Sequence, residues 1–342
     1  MSVAPVRLGL RANAAQFSLL VGLNALVGAM VGLERSVLPL VGKEDFHLAS
    51  HAAILSFVVA FGAAKALTNL AAGAFADRVG RKRLLVFGWL LVLPVPPLIA
   101  FASSWWPIVV ANLLLGANQG LAWSMTVLMK IDLAGAARRG LALGLNESAG
   151  YLGVAATAFA SGALASTYAP RTVVWAGALA IAVAGLLVSI VLVRDTAAHV
   201  EHEQRGHFGR PGLGNPVLRV CSQAGLVNNL NDALAWGLAP LYLAAHGASP
   251  EEIGAAAALY PAVWGAGQLA TGWLSDLTGR KPLIVLGMLV QAGALALLVA
   301  GEGAFGAALA AAVLLGAGTA LVYPTLIAAV STPSSRASVR RP

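Results

Sequence analysis

The residues with most chemical capacity in this sequence are polar groups set inside long apolar runs. In VNNLNDALAW, residues 227–236, Asn228, Asn231 and Asp232 fall at i, i+3 and i+4 with Trp236 one turn further, so a helix places all four on one face. A carboxylate among amides on such a face can bind a solute or carry a proton; the plainer use is a polar knot satisfied by neighbouring helices. A second stripe has Asn112, Gly116, Gln119 and Trp123 at i, i+4, i+7 and i+11, which suits either a polar cavity or close helix contact. Lys65 and Asn69 lie one turn apart, and Lys65 sits about two turns inside its run, where an interior ion pair or an anionic ligand explains it better than snorkelling does. Asn24 interrupts the first run and joins these residues as a candidate substrate or proton site.

Other polar groups invite plainer readings. Asn146, Gly150, Gly153 and Thr157 form a seam suited to close helix packing, with Glu147 and Tyr151 beside it. Glu147, close to the end of its run, reads as a gate or salt-bridge residue. The adjacent Glu34 and Arg35, near the far end of the first run, read as a solvated rim or else an outer gate pair. His199, His202, Glu203 and His207 do not make H-E-x-x-H, because His207 follows Glu203 by four, and a solvated linker accounts for them. No run pairs His with Ser, Cys or a carboxylate, and there is no G-x-x-x-x-G-K-[ST] phosphate loop, so neither an enzyme nor an ATP-driven pump is indicated. The single Cys221 permits no internal disulfide and no thiolate cluster. No metal and no cofactor is expected.

These groups must be positioned by apolar elements. The chain of 342 residues is 58% hydrophobic and 11% charged, with a mean hydropathy of +0.80, against about a quarter charged in soluble domains. The solvent this implies is a lipid bilayer. Runs suited to membrane helices cover roughly Ala14–Leu33, His51–Ala74, Arg83–Ala102, Pro107–Met129, Leu141–Ala165, Val173–Val193, Val217–Ala244, Ile253–Leu274, Pro282–Ala300 and Phe305–Val330. Of the 22 Lys and Arg residues, only Arg35, Lys43 and Arg171 fall in loops on one side, and Lys65 falls inside a run. The positive-inside rule therefore puts the amino terminus in the cytoplasm. The net charge of +8 is spread over short loops rather than gathered in a patch, so no nucleic acid is expected.

The chain also repeats itself. Residues 73–85 read GAFADRVGRKRLL and residues 272–284 read GWLSDLTGRKPLI, each a short charged turn between apolar runs. Gly73, Asp77, Gly80, Arg81 and Lys82 match Gly272, Asp276, Gly279, Arg280 and Lys281, and Arg78 adds charge to the first copy. Val86 and Gly88 continue the register with Val285 and Gly287; LLGA recurs at 114–117 and 314–317. Such spacing indicates two similar halves rather than an array of small units.

These loops resemble the signature G-x-x-x-D-x-x-G-R-K of the major facilitator superfamily of secondary transporters. The resemblance implies an all-α, polytopic fold of two six-helix bundles, with about ten membrane helices present here: 1–194 as the first bundle, 195–216 as a cytoplasmic linker, 217–330 as four helices of the second, and 331–342 as a polar tail. Family members have twelve helices, so the expectation is a chain lacking the last two, either truncated or a working variant. The resemblance further implies a monomeric, inner-membrane permease. It would move a small hydrophobic or amphipathic solute, export being common among similar proteins, by alternating access coupled to protons, with the two charged loops as a cytoplasmic gating motif. Gly116 stands where family members often carry an Arg three residues before the equivalent of Gln119, and NESAGYLGVA lacks the Gly-Pro pair of antiporters, so those two mechanisms lose their usual support. A transport-inactive fragment and a polytopic membrane enzyme remain the alternatives.

Cysteines placed at Lys82 and Lys281 in a Cys221→Ser background are expected to react with an impermeant thiol reagent from the same membrane face. Labelling from opposite faces would remove the paired-loop orientation.

Overall fold

The computed structural model describes residues 9–134, 139–196, 199 and 216–331. Among the described residues the regular structure is helical, with no strand: α1 (Ala14–Arg35), α2 (Leu38–Glu44), α3 (His51–Val79), α4 (Arg81–Val92), α5 (Val95–Ala100), α6 (Trp106–Ala134), α7 (Arg139–Ala165), α8 (Pro170–Val191), α9 (Pro216–Ala233), a π-helical segment (Leu234–Leu238), α10 (Ala239–Ala245), α11 (Pro250–Thr278), α12 (Arg280–Ala300) and α13 (Phe305–Ser331). Eight helices or helix pairs are long and apolar enough to cross a membrane. Two more rods of similar length, α9 through α10 and α11, carry more polar sequence, including Asn228, Asn229, Asn231 and Asp232 in the first. The protein is an all-α, multi-pass membrane protein, and apolar side chains such as Leu70, Leu187 and Val299 are exposed on its outer faces, as lipid contact requires.

The repeated sequence makes a repeated junction. α3 runs on through the charged residues to Val79 and α4 starts at Arg81; α11 runs to Thr278 and α12 starts at Arg280. The turn expected between apolar runs is thus one glycine in each copy, Gly80 with φ 96° and Gly279 with φ 79°. Left-handed backbone of this kind disfavours any Cβ, which explains why both copies hold Gly there. The charged residues stay helical because the helix end projects past the apolar region.

The next matched glycines build matched crossings. A side chain at Gly88 of α4 would meet Leu121 and Ala122 of α6, and one at Gly287 of α12 would meet Gly318, Leu321 and Val322 of α13. In the LLGA pair, Gly116 lies against the Phe61 carbonyl of α3 and Gly316 against the Tyr260 carbonyl of α11. Close approach through small residues is how helices associate when lipid supplies no hydrophobic drive between them. The seam on α7 is likewise a packing seam: Gly150 lies against Gly28, Gly153 against Ala25, and the Thr157 hydroxyl donates to the Ala29 carbonyl at 2.8 Å.

The far end of the first helix departs from expectation. The first span continues past Leu33 to Glu44, broken only at Ser36–Val37. Ser36 donates to the Ala158 carbonyl of α7 at 3.0 Å and meets the Ser161 hydroxyl at 2.9 Å. Glu34 and Arg35 are consequently buried, at 0% and 1% exposure, so the solvated rim is excluded. The charged pair looked like a helix terminus in the sequence, but an apolar continuation, SVLPLVG, carries the chain onward.

The two junction glycines separate backbone strain from contact. Gly279→Ala, with nothing within 4 Å of the added carbon, is expected to cost about 1–2 kcal/mol from the left-handed backbone alone. Gly80→Ala is expected to cost somewhat more, since Asp195 Oδ2 lies 3.1 Å from that carbon. Thermal unfolding of the purified protein in detergent measures both.

Candidate functional site

α1, α3, α6, α7, the α9–π rod and α13 enclose a cavity of about 460 Å³. Its wall holds Arg35, Phe61, Lys65, Asn69, Gln119, Trp123, Tyr151, Asn229, Asp232, Trp236 and Tyr323. A second space of about 330 Å³ shares Lys65, Asn69, Trp123, Tyr151 and Tyr323 with it and extends to Gly73, Leu128 and Leu143. The opening therefore runs toward the end that carries Gly80. At the opposite end Leu40 of α2 packs with Leu243 of α10 and Ile253 of α11, and Gly237 lies against Leu55 of α3.

Of the residues singled out from sequence, Asp232, Trp236, Gln119, Trp123 and Lys65 share this wall. The cavity-facing positions of the α9–π rod are Asn229, Asp232, Ala233 and Trp236, one step around from the expected face. Asn228 turns instead toward α12, where its Oδ1 accepts from Gln291 Nε2 at 2.7 Å, and Asn231 is buried away from the wall. Asn112 donates to the Ile108 carbonyl of its own helix at 3.2 Å. Asn24 joins α1 to α7 and α6, donating to the Asn146 carbonyl at 2.7 Å and accepting from Thr126 at 2.9 Å. None of these four lines the cavity. Helical period shows which residues share a face; it does not show which face meets the cavity.

Lys65 is deeper than expected. Because α3 extends to Val79, its position is central in the helix rather than two turns from an end. Its ammonium lies 5.8 Å from the Phe61 ring centroid and 5.5 Å from that of Trp123. Glu147 accepts from Trp123 Nε1 at 2.7 Å and from Asn146 Nδ2 at 3.1 Å, and lines the second space.

Asp232 has a dedicated partner. Tyr260 of α11 donates its hydroxyl proton to Asp232 Oδ1 at 2.5 Å. Behind it, the Tyr260 hydroxyl lies 3.4 Å from Thr319 Oγ1, and Gln291 Nε2 donates to Thr319 Oγ1 at 3.0 Å as well as to Asn228. A polar chain thus links α9, α11, α13 and α12 and holds the carboxylate in position. A π-helical segment begins two residues after Asp232, and such bulges recur at functional sites because they re-aim side chains. Arg35 faces the same cavity, its guanidinium 4.5 Å from the Phe61 centroid, 5.5 Å from Phe57 and 5.6 Å from Trp236. Sequence reasoning missed Tyr260 as the partner of Asp232 and Arg35 as a cavity group; the signal available for Arg35 was the apolar stretch beyond it.

The sequence model of the Major Facilitator Superfamily matches residues 12–220 and 221–339. The chain belongs to that superfamily. Its class is accordingly that of secondary transporters. Among solved structures, that of a D-xylose-proton symporter superposes with a TM-score of 0.71 at 18% identity, covering 91% of this chain and 81% of that one; at that identity the likeness is one of fold. No curated protein gives a significant match.

The superfamily loop in its first copy forms an ion-pair relay. Arg81 lies 3.2 Å from Asp77 and 2.5 Å from Asp132 at the end of α6, and Asp132 accepts from Thr196 at 2.6 Å. The Lys82 amide donates to Asp195 at 3.1 Å and its ammonium to the Ile190 carbonyl at 2.8 Å. Arg78 and Gly73 are exposed. In the second copy Arg280 is half-buried and Lys281 exposed, while the side chain of Asp276 and the surroundings of Gly272 lie outside the described residues. So do His202, Glu203 and His207 of the linker.

The relay's two carboxylates differ in burial, 79% exposed at Asp77 against 8% at Asp132. Asp77→Ala is expected to cost at most about 1 kcal/mol, as exposed pairs do. Arg81→Ala, which strands the carboxylate of Asp132, should cost about 3 kcal/mol. Equal shifts in unfolding temperature for the two variants would refute this ranking.

Proposed function

We propose that this superfamily member moves a small hydrophobic or amphipathic solute across the inner cell membrane by alternating access, coupled to protons at Asp232. The observation that carries the reading is Asp232 itself: a carboxylate in a helix wall of a membrane cavity, held by Tyr260 and facing the space a solute would occupy. An ionisable group in such a position costs about 2.5–3.5 kcal/mol on insertion scales, and marks an ion or substrate pathway. Protonation of Asp232 would remove charge from the wall and shift the balance between the open and closed arrangements of the bundles. The D-xylose-proton symporter of like fold supports coupling of this kind.

The contacts at the two ends suit alternating access. The space opens toward the Gly80 junction and is closed at the opposite end by Leu40, Leu243, Ile253, Leu55 and Gly237. With the charged loops in the cytoplasm, this is an inward-facing arrangement, and the Arg81 relay, whose partners Asp77 and Asp132 belong to the same set of helices, would brace the cytoplasmic gate on that side. Membership of a superfamily of transporters favours transport over the enzyme alternative.

The experiment is flux into proteoliposomes under a pH gradient, with three membrane-impermeant aromatic solutes: benzenesulfonate, phenyl glucoside and phenyltrimethylammonium. At least one is expected to accumulate above protein-free vesicles. Asp232→Asn should abolish the gradient-driven part while leaving downhill exchange. Tyr260→Phe should weaken driven flux without abolishing it. Undiminished driven flux in Asp232→Asn would remove Asp232 from coupling.

A further inference from the structure

Resting on the reading of this cavity as the solute site, we infer that its cargo is a small organic anion, a carboxylate or sulfonate on an apolar ring, seated between Arg35 and Lys65. The cavity's charged groups are unequally occupied. Asp232 already accepts the Tyr260 hydroxyl, and Glu147, lower down, accepts two N–H donors. Arg35, by contrast, is 1% exposed and its Nε and Nη1 have no hydrogen-bond partner. Trp236 Nε1, on the same wall, is also without a partner. Lys65 makes no hydrogen bond or salt bridge among the described residues.

Carboxylates offset the charge of both cations through space, Glu34 and Asp232 for Arg35 and Asp232 and Glu147 for Lys65, but what lies directly against Arg35 and Lys65 is aromatic rings. Both cations address Phe61, with Trp236 beside the first and Trp123 beside the second. A ring face attracts a cation without filling its N–H donors, so each remains free to grip an oxyanion. A guanidinium's fork suits a planar carboxylate or a sulfonate, and a charge-assisted bond is roughly twice as strong as a neutral one. The same rings, with Val31, Val58 and Val154, would hold the apolar body. The amide of Gln119, whose oxygen lacks a partner, can meet a further polar group, since an amide flip offers either donor or acceptor. A volume of about 460 Å³ fits a solute of this size. Glu34, adjacent to Arg35 but not on the cavity wall, balances its charge without occupying its donors.

Equilibrium binding to the purified full chain in nanodiscs tests this, read by quenching of tryptophan fluorescence, since Trp123 and Trp236 line the cavity. Benzenesulfonate should quench saturably, and phenyl glucoside and phenyltrimethylammonium should not. Arg35→Gln and Lys65→Gln should each weaken benzenesulfonate about tenfold or more, the loss expected for one charge-assisted bond, whereas Arg35→Lys and Lys65→Arg should retain most of it. The conservative pair separates loss of charge from loss of fold. Equal or tighter binding of the neutral or cationic probe, no saturable benzenesulfonate binding, or affinity unmoved by both Gln variants would overturn the anion assignment. If the neutral or cationic solute nonetheless accumulates under a pH gradient, transport stands and only the cargo class falls; gradient-driven accumulation of none would fell the transport reading instead.

Discussion

A carboxylate within a membrane can be kept only where other protein groups hold it, and the hydrogen bond from Tyr260 to Asp232 meets that requirement. Most of the second set of helices can be understood from this bond. Tyr260 must reach α9 from α11, Thr319 must lie within reach of Tyr260 from α13, and Gln291 must bridge Thr319 and Asn228 from α12. Four helices are tied by one polar chain, while their remaining contacts are small residues and apolar side chains with little directional preference. The register of these helices is therefore set by polar groups, and the closeness of their approach by glycines such as Gly287 and Gly316.

The first set of helices is tied by a different device. Asn24, Thr126 and Asn146 share a buried knot between α1, α6 and α7, and Lys130 donates to the Leu20 carbonyl at 3.0 Å. Ser148 then crosses to the other set, donating to the Gly265 carbonyl at 2.8 Å, and Gly162 sits against Gly254. The α7–α11 crossing is thus nearly free of bulky side chains along one stripe. Such a stripe can slide or pivot with less loss of interlocking than a ridge of leucines, which suits rigid-body rocking about it. Tyr151 and Trp264, with ring centroids 3.6 Å apart, mark the place where the stripe meets the cavity.

The charged junction at Gly80 stands at the open end and couples three elements. Arg81 is buried between an exposed and a buried carboxylate, so its position depends on α6 being where Asp132 can meet it. A movement of α3 and α4 relative to α6 has to break or remake that contact.

Some of this was settled by local sequence. Apolar run length fixes a membrane protein because backbone hydrogen bonds must close within each segment in lipid, and the duplicated Gly80 and Gly279 reflect a backbone conformation that a Cβ resists at any location. The packing seam of Gly150, Gly153 and Thr157 was likewise readable, since small residues at helical spacing have few other uses. Tertiary structure alone decided which polar residues face the cavity. Asn228 and Asn229 are neighbours with the same side chain, and only the placement of Gln291 and of the cavity separates a packing residue from a lining one. Arg35 became a cavity cation because α1 continues into α2 and is pinned by Ser36 to α7. Tyr260 became the partner of Asp232 across 28 residues of sequence, a meeting that helical period cannot express because it joins two separate helices.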